Sequence, residues 1–206
     1  MGKETMFKLS YGLFVLTARE NGKDNGCIIN TVSQVTDTPN RICMAVNKTN
    51  YTHDMIVHTG VFTVSIISET ATFDLFKHFG FASGREVDKF RDFSACKTAE
   101  NGTKIILDGT NGYISAKVIN TVDLGTHTLF IADVTEAENL SDTPSATYAY
   151  YHANIKPKPA SPVKTEKTVW RCTVCGYEYV GEELPEDFVC PWCKHPASDF
   201  EKVSPT

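Results

Sequence analysis

Four of the seven cysteines in this 206-residue chain stand within 22 residues, in the pattern Cys172-x2-Cys175-x14-Cys190-x2-Cys193. Two residues between a pair of cysteines let both sulfurs of one tight turn face a single ion. Two such turns supply four soft thiolates in a tetrahedron. A segment that must close around one ion is confined to a small, metal-organised unit. Zinc and iron both accept this ligand set, and a zinc ribbon has a comparable gap between its pairs. Cys27, Cys43 and Cys96 are scattered. An odd total, without the apolar core of a secretory signal at the N-terminus, speaks against a disulfide framework. Cys43, within Ile42-Cys43-Met44-Ala45-Val46, is expected to be a small buried hydrophobe. Cys27 and Cys96 are given no role.

The cysteine-rich tail is set apart from the rest. Residues 154–167 hold three prolines and four lysines and almost nothing that packs, which reads as a semi-rigid solvated linker. The expected organisation is a domain at 1–153, a linker at 154–167 and a small domain at 168–206. Of the net charge of −5, the tail accounts for most, with seven carboxylates against three bases from Thr168 onward. Such a balance argues against nucleic acid as a partner, which demands a basic stripe. No run of 18 apolar residues exists, so no membrane span is expected. The chain is read as cytoplasmic.

Upstream of the linker the pattern is one of short β-rich runs. Candidate strands cover residues 13–17, 28–35, 42–46, 62–67, 104–107, 113–119 and 128–135, rich in Val, Ile, Thr and Phe. Asn21-Gly22, Asn25-Gly26, Asp108-Gly109 and Asn111-Gly112 read as turns between them. Helices are expected only at 52–58, capped by Thr52 and stopped by Gly60, and at 72–78, stopped by Gly80, with a further turn at 86–90. Many strands and few helices point to a mainly β fold, a closed antiparallel barrel with helices on its rim. Neither G-x-G-x-x-G nor a Walker loop is present, and the six histidines form no metal pattern.

Three polar segments interrupt the apolar pattern. Asn30-Thr31-Val32-Ser33-Gln34-Val35-Thr36 puts small polar side chains where a strand would alternate. Asn47-Lys48-Thr49-Asn50-Tyr51-Thr52 runs into a helix start, where backbone amides and Lys48 can hold an anion. Gly80-Phe81-Ala82-Ser83-Gly84-Arg85-Glu86-Val87-Asp88-Lys89-Phe90 adds glycines and two cations. Each alone also reads as an ordinary solvated turn.

The residues around the cysteines resemble a known family. Trp170-Arg171-Cys172-Thr173-Val174-Cys175-Gly176-Tyr177-Glu178-Tyr179 and Leu184-Pro185-Glu186-Asp187-Phe188-Val189-Cys190-Pro191-Trp192-Cys193 are similar to the two knuckles of rubredoxins. The segment between the pairs is shorter than in ordinary rubredoxins and resembles compact rubredoxin domains appended to other redox proteins. The resemblance implies one iron ion on Cys172, Cys175, Cys190 and Cys193. Such a centre has no open coordination position, so it carries single electrons and binds no substrate. Six aromatics (Trp170, Tyr177, Tyr179, Phe188, Trp192 and Phe200) could exclude water from it.

The three polar segments, in this order over residues 7–153 with Tyr11-Gly12-Leu13-Phe14-Val15-Leu16-Thr17 before them, resemble the flavin reductase-like family of FMN-binding split β-barrels. The resemblance implies that Asn30, Thr31, Ser33 and Gln34 line the flavin ring and ribityl chain. It puts Asn47, Lys48, Asn50, Tyr51 and Thr52 near the phosphate, with Arg85, Lys89 and Phe90 closing the pocket, and it implies a homodimer. A flavin barrel joined to a rubredoxin module resembles the high-molecular-weight rubredoxins of anaerobic microorganisms. In that group electrons pass from a pyridine-nucleotide-dependent reductase to a flavodiiron-type enzyme. Two other functions fit the sequence: an NAD(P)H:flavin oxidoreductase with the tail as acceptor, and a non-redox binding protein with a structural zinc ribbon.

Overall fold

The computed structural model describes residues 3–157 and 168–203. The chain forms two compact units, Met1–Ile155 and Lys156–Thr206.

In the larger unit seven antiparallel strands form one sheet: β1 (Phe14–Glu20), β2 (Lys23–Ile29), β3 (Ser33–Thr36), β4 (Arg41–Asn47), β5 (Val61–Ile67), β8 (Thr110–Asp123) and β9 (His127–Asn139), with a separate pair β6 (Cys96–Thr98) and β7 (Lys104–Ile106). Their order is β2-β1-β5-β8-β9-β4-β3. β2 and β3 therefore lie at opposite ends of the sheet, yet only Asn30, Thr31 and Val32 connect them. A chain from Ile29 to Ser33 spans at most about 14 Å. The two ends must approach, so the sheet curls into a barrel with a gap at its seam. The closed barrel suggested by the strand pattern is thus split, as the resemblance to split β-barrels implied.

That seam corrects the continuous strand expected over 28–35. Polar Asn30 and Thr31 break it, and Thr31 Oγ1 donates instead to the Ala45 carbonyl of β4 at 2.7 Å. Asn25-Gly26, expected as a turn, lies inside β2, because the β1–β2 hairpin turns at Asn21-Gly22, both with positive φ. Asn111-Gly112 likewise lies within β8; a β-carbon at Gly112 would meet the Glu138 carbonyl of β9 at 3.1 Å.

β1 explains where the cores sit. Phe14, Leu16 and Ala18 enter the barrel interior with Met44, Phe62, Val64 and Phe130, whereas Leu13 and Val15 face a second cluster outside it. Helix α1 (Tyr51–Thr59) closes the first core with Met55 and Ile56, and α2 (Phe73–Gly80) closes the second with Leu75, Phe76 and Phe79. The cap of α1 is Asn50, not Thr52, and Gly60 ends the helix at φ 71°. α2 runs through Gly80 to its cap at Phe81. Cys43 is only half-buried: β4 alternates, sending Ile42, Met44 and Val46 inward and Cys43 to the other face.

The first residues of the expected linker continue a helical segment, Tyr148–Tyr150 and Tyr151–Ile155. Tyr151 packs on Phe76 at 4.4 Å, and Ile155 joins the second core, which carries the helix two residues further. Residues 158–167 of the linker lie outside the described residues. In the smaller unit β10 (Val169–Cys172) pairs with β11 (Glu178–Val180) and β12 (Phe200–Val203). No helix among the described residues is long and apolar enough to cross a membrane.

Candidate cofactor sites

The four tail cysteines meet at one point. All four Sγ atoms lie within 4.8 Å of one another. Cys172 and Cys193 are 3.6 Å apart and Cys175 and Cys190 3.4 Å, too long for disulfides. A metal–sulfur bond of about 2.3 Å gives tetrahedral edges near 3.8 Å, so the cage has the size of one ion.

The two halves of the cage are built alike. Gly176 N–H donates to Cys172 O at 2.9 Å and Lys194 N–H to Cys190 O at 2.9 Å; Cys172 N–H donates to Tyr177 O and Cys190 N–H to His195 O, both at 2.8 Å. Gly176 and Lys194 hold the equivalent left-handed positions, at φ 81° and 61°. Each turn thus aims two sulfurs at one side of the ion.

The thiols cannot all ionise alone. Burial and the neighbouring sulfurs push Cys175 up to about 11 and Cys193 higher still. Burial acts against Cys190 too, but the backbone N–H groups of Cys193 and Trp192 outweigh it and hold that thiol below its usual value. Four clustered thiolates call for a cation, and metal binding displaces the protons. Of the six aromatics, Tyr177, Tyr179, Phe188 and Phe200 form a linked cluster. Trp192 touches Tyr177 at 5.3 Å but is 40% exposed, so it does not seal the site.

In the barrel the polar segments converge on the seam and the start of α1. Thr31 is anchored on β4, two residues ahead of Asn47. Asn47 Oδ1 accepts from the Thr49 backbone N–H and hydroxyl at 2.9 Å, shaping the turn into α1. Asn50 caps Thr52 N–H. The Thr52 hydroxyl accepts from buried Asn25 at 2.9 Å. Lys48 pairs with Asp123 at 2.7 Å, and Arg85 with Asp54. Lys23 Nζ and the Arg85 guanidinium each stand 4.9 Å from the Tyr51 ring centre. The N-terminal end of a nine-residue helix and these cations suit a phosphate dianion. Lys23 carries no sequence signal: its strand looks like any solvated hairpin end.

Ser33 and Gln34 sit apart from that cluster, at the mouth of a cavity of about 280 Å³ walled by Phe14, Val32, Ile42, Ile114 and Val134. Gln34 Nε2 donates to Asn40 at 3.1 Å.

Phe90 and Lys89 turn inward. Phe90 packs on Phe79 and Phe93. Lys89 is 5% exposed, and its ammonium donates to the carbonyls of Gly26 and Phe79, both at 2.8 Å. Burial lowers its pKa from 10.5 to about 8, with nearby Cys27 working in the opposite direction. The unfolded chain therefore binds the proton more tightly between about 8 and 10.5, so this group's contribution to stability rises with pH across that window. Burial raises Cys27, which opposes the trend at the alkaline end. We expect the stability difference between wild type and Lys89→Met to grow by roughly 2–3 kcal/mol from pH 7 to pH 10, read from urea midpoints of barrel unfolding. A pH-independent difference would contradict a buried ammonium.

With this geometry in hand, comparison with known proteins is decisive. Residues 6–158 match the flavin reductase like domain and residues 170–201 the rubrerythrin, rubredoxin-like domain. The chain belongs to the flavin reductase-like family. Its tail is a rubredoxin-like domain, and the whole is similar to the high molecular weight rubredoxin of Moorella thermoacetica, at 35% identity over 98% of this chain and 100% of that protein. The ferric-chelate reductase (NAD(P)H) of Archaeoglobus fulgidus is 38% identical over 77% of this chain and 93% of its own length. The NADH:FAD oxidoreductase of Streptomyces globisporus shares the fold, with a TM-score of 0.62 at 19% identity over 69% of this chain and 84% of that one. This flavin reductase-like chain thus takes a flavin in its barrel and one iron at its four cysteines. Its architecture is that of flavin-linked electron transfer.

Proposed function

We propose that the chain relays electrons from a pyridine-nucleotide-dependent reductase to a flavodiiron-type terminal oxidoreductase, through FMN in the barrel and iron in the tail. The observation that carries this reading is a four-thiolate cage with every ligand position filled by protein, on the same chain as a flavin reductase-like barrel. Such a cage passes electrons and turns over nothing. Full-length similarity to a high molecular weight rubredoxin supports the same reading.

FMN exchanges electrons singly or in pairs, and the protein around it supplies binding and orientation. In this reading the start of α1, with Lys48 and Arg85, holds the phosphate. Asp123 and Asp54 keep those two cations in place before it arrives. Asn30, Thr31, Ser33 and Gln34 line the ring and ribityl chain along the seam, beside the apolar wall of the cavity. Glu182, Glu183, Glu186 and Asp187 are exposed in the tail and steer a basic partner, an effect that weakens with salt. The reading includes a cytoplasmic setting, supported by Cys27, Cys43 and Cys96, whose thiols form no disulfide and stay reduced there. It also includes a homodimer, supported by exposed apolar side chains at Val57, Ile119, Val122 and Leu124.

A second reading, direct reduction of the flavin by NAD(P)H, is favoured by the similarity to the ferric-chelate reductase. Anaerobic mixing decides between them. NADH alone is expected to leave the flavin spectrum almost unchanged, and a catalytic amount of an NADH-dependent rubredoxin reductase to bleach both flavin and iron bands. Rapid bleaching by NADH alone would replace the relay with the second reading. Protein purified with zinc and without flavin would overturn both.

A further inference from the structure

Lys89 lies in the loop of residues 80–90 that delivers Arg85, yet it does not share Arg85's surroundings. Its ammonium is spent on two main-chain carbonyls, Gly26 in β2 and Phe79 in the last turn of α2. The same stretch of β2 holds the start of α1. Asn25 Nδ2 donates to the Thr52 hydroxyl at 2.9 Å. Two consecutive residues, Asn25 and Gly26, thus hold both the first turn of α1 and the lysine of the loop.

The loop touches this base at a further point. Gly84 packs so closely on Asn25 that a β-carbon there would lie 2.0 Å from Asn25 Oδ1. Lys23 Nζ, in the same strand, donates to Gly84 O at 2.7 Å. Behind the loop, His78 Nε2 donates to Lys89 O at 2.7 Å, and Asp88 Oδ1 accepts from Phe90 N–H at 3.0 Å. With both ends seated, Arg85 reaches the Tyr51 ring and Asp54. Burying an ammonium is costly unless its donors are used, and a solvated loop does not need one.

We propose that Lys89 is a positioning residue for the phosphate of FMN: by seating the 80–90 loop on β2 it fixes Arg85 over Tyr51 at the start of α1. The proposal rests on the reading that the phosphate binds there. It turns a residue expected to touch the cofactor into one that acts through Arg85.

The test compares FMN with riboflavin, which lacks the phosphate, on full-length protein stripped of flavin and still holding its iron. Wild type is expected to bind FMN at least tenfold more tightly than riboflavin. Lys89→Met is expected to lose that preference while riboflavin affinity changes less than twofold. Arg85→Ala loses it as well, and adding Lys89→Met to Arg85→Ala changes FMN affinity less than twofold further, because both act through one contact. A purely structural role for Lys89 would weaken both ligands alike, or add to Arg85→Ala, and either result overturns the proposal. Preference retained in Lys89→Met overturns it too. If that variant does not fold, Gly84→Ala, whose added methyl group presses on the Asn25 side chain and lifts the loop from β2, is read on the same scale, and retained preference again refutes the seating. Absence of any FMN preference in wild type brings down the phosphate reading itself, and the proposal with it.

Discussion

Cys190→Ser is expected to abolish the iron–thiolate absorbance and unfold the small unit while the barrel keeps its flavin. Cys190 is fully buried within the cage, so a serine there loses one soft ligand of four and leaves a hydroxyl without its partner. The packed part of this unit, residues 168–203, falls below the length of about 40 residues at which a core alone suffices. Four of its aromatics cluster around Phe188, too small a core to replace the metal. For metal-organised modules of this size, ligand binding and folding are one free energy, on the order of 10 kcal/mol. The measurements are the visible spectrum, bound iron per chain, and amide exchange of the two units separately. Loss of flavin together with iron would show that the two units do not fold independently.

Phe62→Ala supplies the complementary case and should cost the barrel about 3–5 kcal/mol. Phe62 is fully buried in the first core, on β5 between β1 and β8 and in one cluster with Met44 of β4 and Phe130 of β9. Deleting its ring leaves a cavity that paired strands on both sides of β5 cannot collapse into. The loss is to be measured as a shift in the denaturant midpoint followed by flavin release. The iron spectrum should persist through that transition, because no residue of the cage belongs to this core. A concerted loss of both signals would contradict the division into two units.

The metal cage was legible because it is local. Two cysteines three positions apart report their own turn geometry, and the left-handed Gly176 completes it within the same five residues. The barrel was legible as a class, since Val, Ile and Phe runs separated by turn pairs describe strands however they pair. Its seam was not. Only the pairing order reveals that β2 and β3 are opposite ends of one sheet, and that is what makes Asn30, Thr31 and Val32 a gap rather than a strand.

Residue direction was the other thing hidden from the sequence. Asn25-Gly26 reads as a turn, yet the hairpin turned four residues earlier and left this pair as the base for α1 and its facing loop. Arg85 and Lys89 read as twin cations on one glycine-rich loop. In the fold one reaches Tyr51 and Asp54 while the other is buried on two carbonyls. Cys43 reads as core and sits half-exposed, because a strand shows its alternation only once its two faces are assigned. The sequence by itself determined that this chain holds one metal in a four-thiolate cage and a β-rich domain with a polar anion-suited helix start, because those depend on spacing along the backbone. The tertiary structure alone decided that Arg85 reaches the start of α1 while Lys89 is buried on main-chain carbonyls, because that depends on strands distant in sequence meeting across a curled sheet.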